Sequence, residues 1–194
     1  MTDLALNRKL NFVIEVETES GKSAWVHTTP ILNETFKQFY APISRAYLEL
    51  FTGGGGDLTG PRVAAFVLEK HAKELGVWDG PNGVRHGLLE EIRRLSNVVM
   101  LTDDGWETLQ YADAVKRKVF TPDDFQEVEH VLCFFTLVSA MAPKGQQRGH
   151  LEFMSQFWSV RPESLDFTGF VAGLKMSSEA VSSGAKATLS PIPS

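Results

Sequence analysis

One cysteine, no long apolar run and only a small excess of negative charge set the first limits on this chain of 194 residues. The lone Cys133 excludes an internal disulfide framework and a thiolate zinc site, and it suits a reducing compartment. The longest uncharged apolar run, Val131 to Met141, is broken by Thr136 and Ser139 and falls short of the roughly 20 residues a membrane helix needs. No membrane segment is expected. The first residues lack a basic stretch followed by an apolar one and a small-residue cleavage site, so no secretory signal is expected either. The net charge of −5 opposes attraction to nucleic acid or to anionic lipid. The short basic runs Lys116-Arg117-Lys118 and Arg93-Arg94 have no interleaved aromatics and read as solvated helix faces.

Catalytic signatures are missing as well. No two of His27, His71, His86, His130 and His150 share the i,i+4 spacing that sets two ligands on one helix face. Glu127-x-x-His130 has no second copy to build a carboxylate-bridged metal pair. Its half of the helix reads as solvent-facing. Cys133 comes three residues after His130, but it is flanked by Leu132, Phe134 and Phe135 and reads as a buried small hydrophobe rather than a thiolate nucleophile. The glycines at 53–56 are followed by Pro61-Arg62, where a phosphate-cradling loop requires Lys-Ser or Lys-Thr. No catalytic, metal or cofactor residues are assigned, and an enzyme is not expected.

What is present is apolar periodicity. Thr121-Pro122-Asp123-Asp124 is a complete helix start: a hydroxyl cap, proline at the first helical position and acids in the first turn. The helix it opens is expected to end by Ala142, before Pro143, with its second half buried on nearly every side. Leu10, Phe12, Ile14 and Val16 alternate with Asn11, Val13, Glu15 and Glu17, the pattern of a half-buried strand. With Ser23 to Thr29 it forms a predicted hairpin, too small to be stable alone. Asn33 opens a helical pattern in which Phe36, Phe39, Tyr40, Tyr47 and Phe51 trace one broad stripe. Pro42 is expected to kink this helix or split it in two. Such a stripe serves either as an aromatic core face or as a docking surface.

Further helices are predicted after Thr59, from about Val84 to Val99 with a Glu90–Arg94 surface pair, over 111–118, from His150 to Val160, and around Phe167 to Leu174. The stretch Trp106 to Tyr111 reads as a short strand or a loop. The expected architecture is therefore mainly α: a helical bundle-like domain over 1–176 with an N-terminal β-hairpin at about 10–29 and a Gly-rich hinge at 53–60. The Ser/Ala/Pro-rich stretch 177–194 is expected to be a flexible tail.

Several segments carry a resemblance: Asn7-Arg8-Lys9-Leu10-Asn11-Phe12-Val13-Ile14, Val26-His27-Thr28-Thr29-Pro30-Ile31, Gly60-Pro61-Arg62-Val63-Ala64-Ala65, Leu89 to Val98, and Ser182-Ser183-Gly184-Ala185-Lys186-Ala187. In these the chain resembles tail assembly chaperones of long-tailed bacteriophages and prophages. The resemblance implies a non-catalytic protein of the host cytoplasm that coats the tape-measure protein until the tail tube assembles around it. It also implies self-association and, in many members, a longer frameshifted product. Candidate partner-binding residues are Phe36, Phe39, Tyr40, Tyr47, Phe51 and Trp25. The alternative is a structural virion protein, a tail or head-to-tail joining component retained in the particle.

Overall fold

The computed structural model describes residues 10–17, 21, 23–52 and 56–182. Five strands form one antiparallel sheet in the order β4-β3-β2-β1-β5. They are β1 (Asn11–Glu17), β2 (Ser23–Thr28), β3 (Ser96–Thr102), β4 (Gly105–Gln110) and β5 (Val160–Glu163). The expected helical bundle with a single hairpin is thus corrected to a mixed α and β fold. The hairpin is present, with Ile14 opposite Val26, but β3 extends it on one side and β5 on the other.

The missed strands have physical explanations. The predicted helix from Val84 instead comprises a π-helical turn (Val84–Leu88) and α4 (Leu89–Arg94), and the β-branched pair Val98-Val99 lies in β3. Leu95 and Val99 happen to match the helical period. Ser96 marks the switch: its hydroxyl bonds back to the Ile92 carbonyl at 2.8 Å and to Thr28 on the neighbouring strand at 2.9 Å. A side chain that competes locally for helix carbonyls favours an end over an interior. In β5, Pro162 suggests only a break, but β5 is an edge strand, where a missing N–H costs no ladder bond. The Glu90–Arg94 pair also shifts: Arg94 pairs with Glu91, and Arg93 with Glu90 and Glu129.

The alternation of β1 gives the sheet two faces. On the inner face Phe12, Ile14, Val26 and Val98 join the main core with α2 (Tyr40–Thr52), α3 (Gly56–Glu74) and α6 (Pro122–Met141). Phe12 stacks on Phe135 with ring centroids 5.2 Å apart. Helix α6 starts as its sequence predicts, with a reciprocal box between Thr121 and Asp124 and proline in the first turn. From Val131 to Ser139 every residue is buried. Its last carbonyls are satisfied by Gln147, whose amide donates to Ser139 and Ala142. Gln147 can do this because α7 (Lys144–Met154) begins directly after Pro143, where the sequence predicts a loop to Gly149. Ahead of α6, α5 (Tyr111–Lys116) comes directly after β4.

Two further expectations change. The aromatic helix is divided, as Pro42 suggests, into α1 (Asn33–Gln38) and α2, with the break at Phe39. Of the hinge at 53–60, residues 53–55 lie outside the described residues, while Gly56 to Gly60 form the first turns of α3. The tail boundary also moves, since α8 (Phe167–Ser182) runs six residues beyond 176; residues 183–194 lie outside the described residues. The outer face of the sheet is covered by α8, in a second core made of Val13, Val99, Phe170 and Val171.

Candidate functional site

The sequence-selected aromatics do not form one surface. Phe39 is buried, and Phe36, Tyr47 and Phe51 are partly buried against the main core. Phe51 contacts the rings of Tyr47, Phe134 and His150. Tyr40 alone of the five is largely exposed, at 55%, with its ring edge-on to Phe36. Trp25 lies in the other core, on the outer face of the sheet, with its ring 5.8 Å from that of Trp106.

A groove forms elsewhere, where β1 outruns its short neighbour β5. Strand β5 pairs with β1 only from Asn11 to Ile14, and the segment 155–159 covers the rest of that edge, with the Glu15 N–H donating to the Ser159 carbonyl at 2.7 Å. On the inner side of this crossing lies a cleft of about 280 Å³ lined by Ile14, Val16, Val128, Val131, Phe157 and Trp158 among others. Among the described residues its charged lining side chains are Glu15, Glu17, Asp124 and Glu127, with no basic one. On the outer side is a second cleft of about 330 Å³, lined by Val13, Trp25 and Arg161 among others. The two share Glu15, Trp158, Ser159 and Val160 and so wrap around the end of β1 from one sheet face to the other.

The groove combines apolar and aromatic side chains with polar groups, chiefly carboxylates on its inner side. Phe157 is 57% exposed beside the inner cleft and packs edge-on against Phe153. The Arg62 guanidinium lies 6.0 Å from the centre of the Trp158 ring, within cation–π range. The Asp124 carboxylate accepts from the Thr121 N–H and hydroxyl in the α6 cap, which leaves Glu15, Glu17 and Glu127 as the carboxylates lining the inner cleft without such a role. Sequence reasoning misses this groove because the apolar spacing after His150 places Phe157 and Trp158 in a helix. The signal that could find it is Glu15 and Glu17 on one face of an alternating strand, together with a proline-containing edge segment.

The reactive-looking residues of α6 have structural partners. His130 is buried rather than solvent-facing, and its Nδ1 accepts the Ala65 N–H at 3.1 Å, which requires that nitrogen to be unprotonated. Phe66 lies edge-on to it at 4.3 Å. Cys133 is buried, and burial pushes its thiol up to about 12, so it carries negligible thiolate at neutral pH. Among the described residues no group of three or more His, Cys, Asp or Glu could hold a metal ion. No helix there is long and apolar enough to cross a membrane.

His27 is fully buried on the outer face. Its Nε2–H donates to the Leu165 carbonyl at 3.0 Å, Asn11 donates to the same oxygen at 2.8 Å, and His27 Nδ1 has no hydrogen-bond partner among the described residues. Burial lowers the pKa of both His27 and His130 below the ordinary 6.5, against the opposing pull of the Leu165 hydrogen bond and of Glu163 and Asp166 on His27. Well above pH 6.5 both imidazoles are neutral in the folded and unfolded chain, so stability is at its full value. As pH falls below 6.5 the unfolded chain takes up protons that the folded chain does not, and stability declines. The urea midpoint is therefore expected to drop between pH 7.5 and pH 5.5, and to drop less in the double variant H27Q/H130Q. An unchanged midpoint in the parent protein would contradict two neutral buried imidazoles.

No family model matches this chain, and no curated protein or solved structure shows a significant match to it.

Proposed function

We propose that this protein is a non-catalytic tail assembly chaperone that shields an apolar helical segment of a tape-measure protein until the tail is built. The observation that carries this reading is the groove around the end of β1, which sets apolar and aromatic side chains beside carboxylates, with no basic side chain among the described residues that line its inner side. Such a site favours an apolar segment flanked by lysine or arginine. Apolar contacts supply affinity, and the carboxylates select orientation and reject acidic segments. The amide and imidazole groups that could support chemistry, such as Gln147 and His130, are engaged in holding helices together, which suits a binding role.

Co-expression with the tape-measure protein tests this. The wild-type chain is expected to keep that protein in the soluble fraction, and Trp158→Ala to weaken the complex roughly 30-fold, the loss of one aromatic anchor worth about 2 kcal/mol. Equal solubility of the tape-measure protein with and without the chain would sink the proposal. Stoichiometric recovery of the chain in purified particles would instead favour a structural virion component.

A further inference from the structure

We infer that α8 is a displaceable internal occupant of the partner site, so that the sheet face beneath it is a second half of the groove and takes an amphipathic helix from the partner. The inference rests on the binding role proposed above and names the surface and the helix pattern that role would use.

Four observations converge on it. First, the outer cleft runs directly into the covered face: Val13 and Trp25 belong both to the cleft lining and to the core under α8. A ligand lying in the groove therefore meets the edge of α8. Second, α8 shows what the face accepts. It presents Phe167, Phe170, Val171 and Leu174 to the sheet, the i, i+3, i+4, i+7 pattern of a helix laid into an apolar surface. Third, α8 is a poor helix by itself. Thr168, Gly169, Val171 and Gly173 fall within its first two turns, all residues of low helix propensity, so its order depends on the face it covers.

Fourth, the polar latch that holds α8 gains little by staying closed. His27 and Asn11 both donate to the Leu165 carbonyl, and all three groups find water if the helix leaves. His27 Nδ1, buried and without a partner among the described residues while α8 is down, becomes open to a water donor when it lifts. The segment Ser164–Asp166 joins β5 to α8 and is the point about which it can swing; Leu165 is exposed there. A partner helix with aromatic and aliphatic residues at the α8 spacing replaces the same contacts and extends past them into the groove, where it adds Trp158 and the carboxylates.

The test uses the full chain and a labelled synthetic peptide of residues 165–182 as the incoming helix. In the closed protein the peptide must compete with α8, so Phe170→Ala, which weakens α8 alone, is expected to raise peptide affinity about tenfold or more. Adding Trp25→Ala to that variant is expected to abolish the gain. Gly173→Ala, whose new Cβ meets nothing within 4 Å, strengthens the helix and is expected to lower peptide affinity. Hydrogen exchange supplies a reading free of the peptide: α8 amides should exchange well before those of α6, and more slowly in Gly173→Ala. Equal peptide affinity in all variants, or exchange of α8 only together with α6, would overturn the inference. So would dimerisation of the wild-type chain that Phe170→Ala removes, which would make a second copy's α8 the occupant. Peptide capture without solubilisation of a tape-measure protein leaves α8 displaceable and removes the chaperone reading; solubilisation without any peptide effect does the reverse.

Discussion

Replacing Phe135 by alanine is expected to lower the unfolding free energy by about 3–5 kcal/mol, read from urea denaturation of parent and variant side by side. The side chain is 1% exposed in the half of α6 that is surrounded by core, and it stacks nearly parallel on Phe12 of β1. Two costs therefore add. The ring's apolar area is no longer removed from water, and a cavity is left between helix and sheet that neither can close without bending. The Phe12 ring also loses its stacking partner. Phe66→Ala is the useful contrast, because Phe66 is 53% exposed and is expected to cost less than about 1 kcal/mol by its lost area. If Phe135→Ala cost no more than Phe66→Ala, α6 could not be the element that joins helices to sheet.

That α6 plays this part is readable in the sequence, and the reason is local. Thr121, Pro122 and Asp124 act on backbone groups within one turn, so their meaning does not depend on the rest of the fold. The alternation of β1 is legible for the same reason, since period 2 over seven residues leaves one face to bury. Strands β3 and β5 are harder. Leu95 and Val99 fit a helical period by accident, and only the neighbouring strand, through Thr28 and Ser96, shows that the helix has ended. Pro162 breaks a central strand but not an edge, and edge position is a property of the assembled sheet.

The groove is less legible still. Its walls come from β1, from α6 and from the segment 155–160, and no short-range pattern links these. What the sequence offers instead is a conspicuous aromatic stripe, most of which the structure places against the core. Composition identifies apolar side chains readily, but whether a stripe faces the core or a partner depends on what the chain packs against it. Trp25 illustrates the point from the other direction. It belongs to a hairpin strand whose inner neighbours, Ala24 and Val26, are fully buried, and its own partly buried position under α8 is set by a helix more than 140 residues away in sequence.

The glycines at the start of α3 carry the second large prediction. By composition Gly60 belongs to a flexible hinge, where alanine would be tolerated or even mildly stabilising. In the fold it is buried in α3, and a Cβ there would fall on the Phe134 ring of α6, at a helix crossing that leaves no room for a methyl group. The ring is fully buried and cannot swing away, so α3 and α6 must separate or Phe134 must leave its rotamer, an overpacking strain of about 1–3 kcal/mol. Gly149→Ala in α7 reports the other outcome from the same chemical change. Its new Cβ meets nothing within 4 Å, and the substitution is expected to stabilise by roughly 0.5–1 kcal/mol through helix propensity and reduced freedom of the unfolded chain. Urea midpoints moving in opposite directions for the two variants would establish that Gly60 is kept small by contact with Phe134. A neutral or stabilising Gly60→Ala would restore the hinge and show that α3 does not pack so closely on α6 in solution.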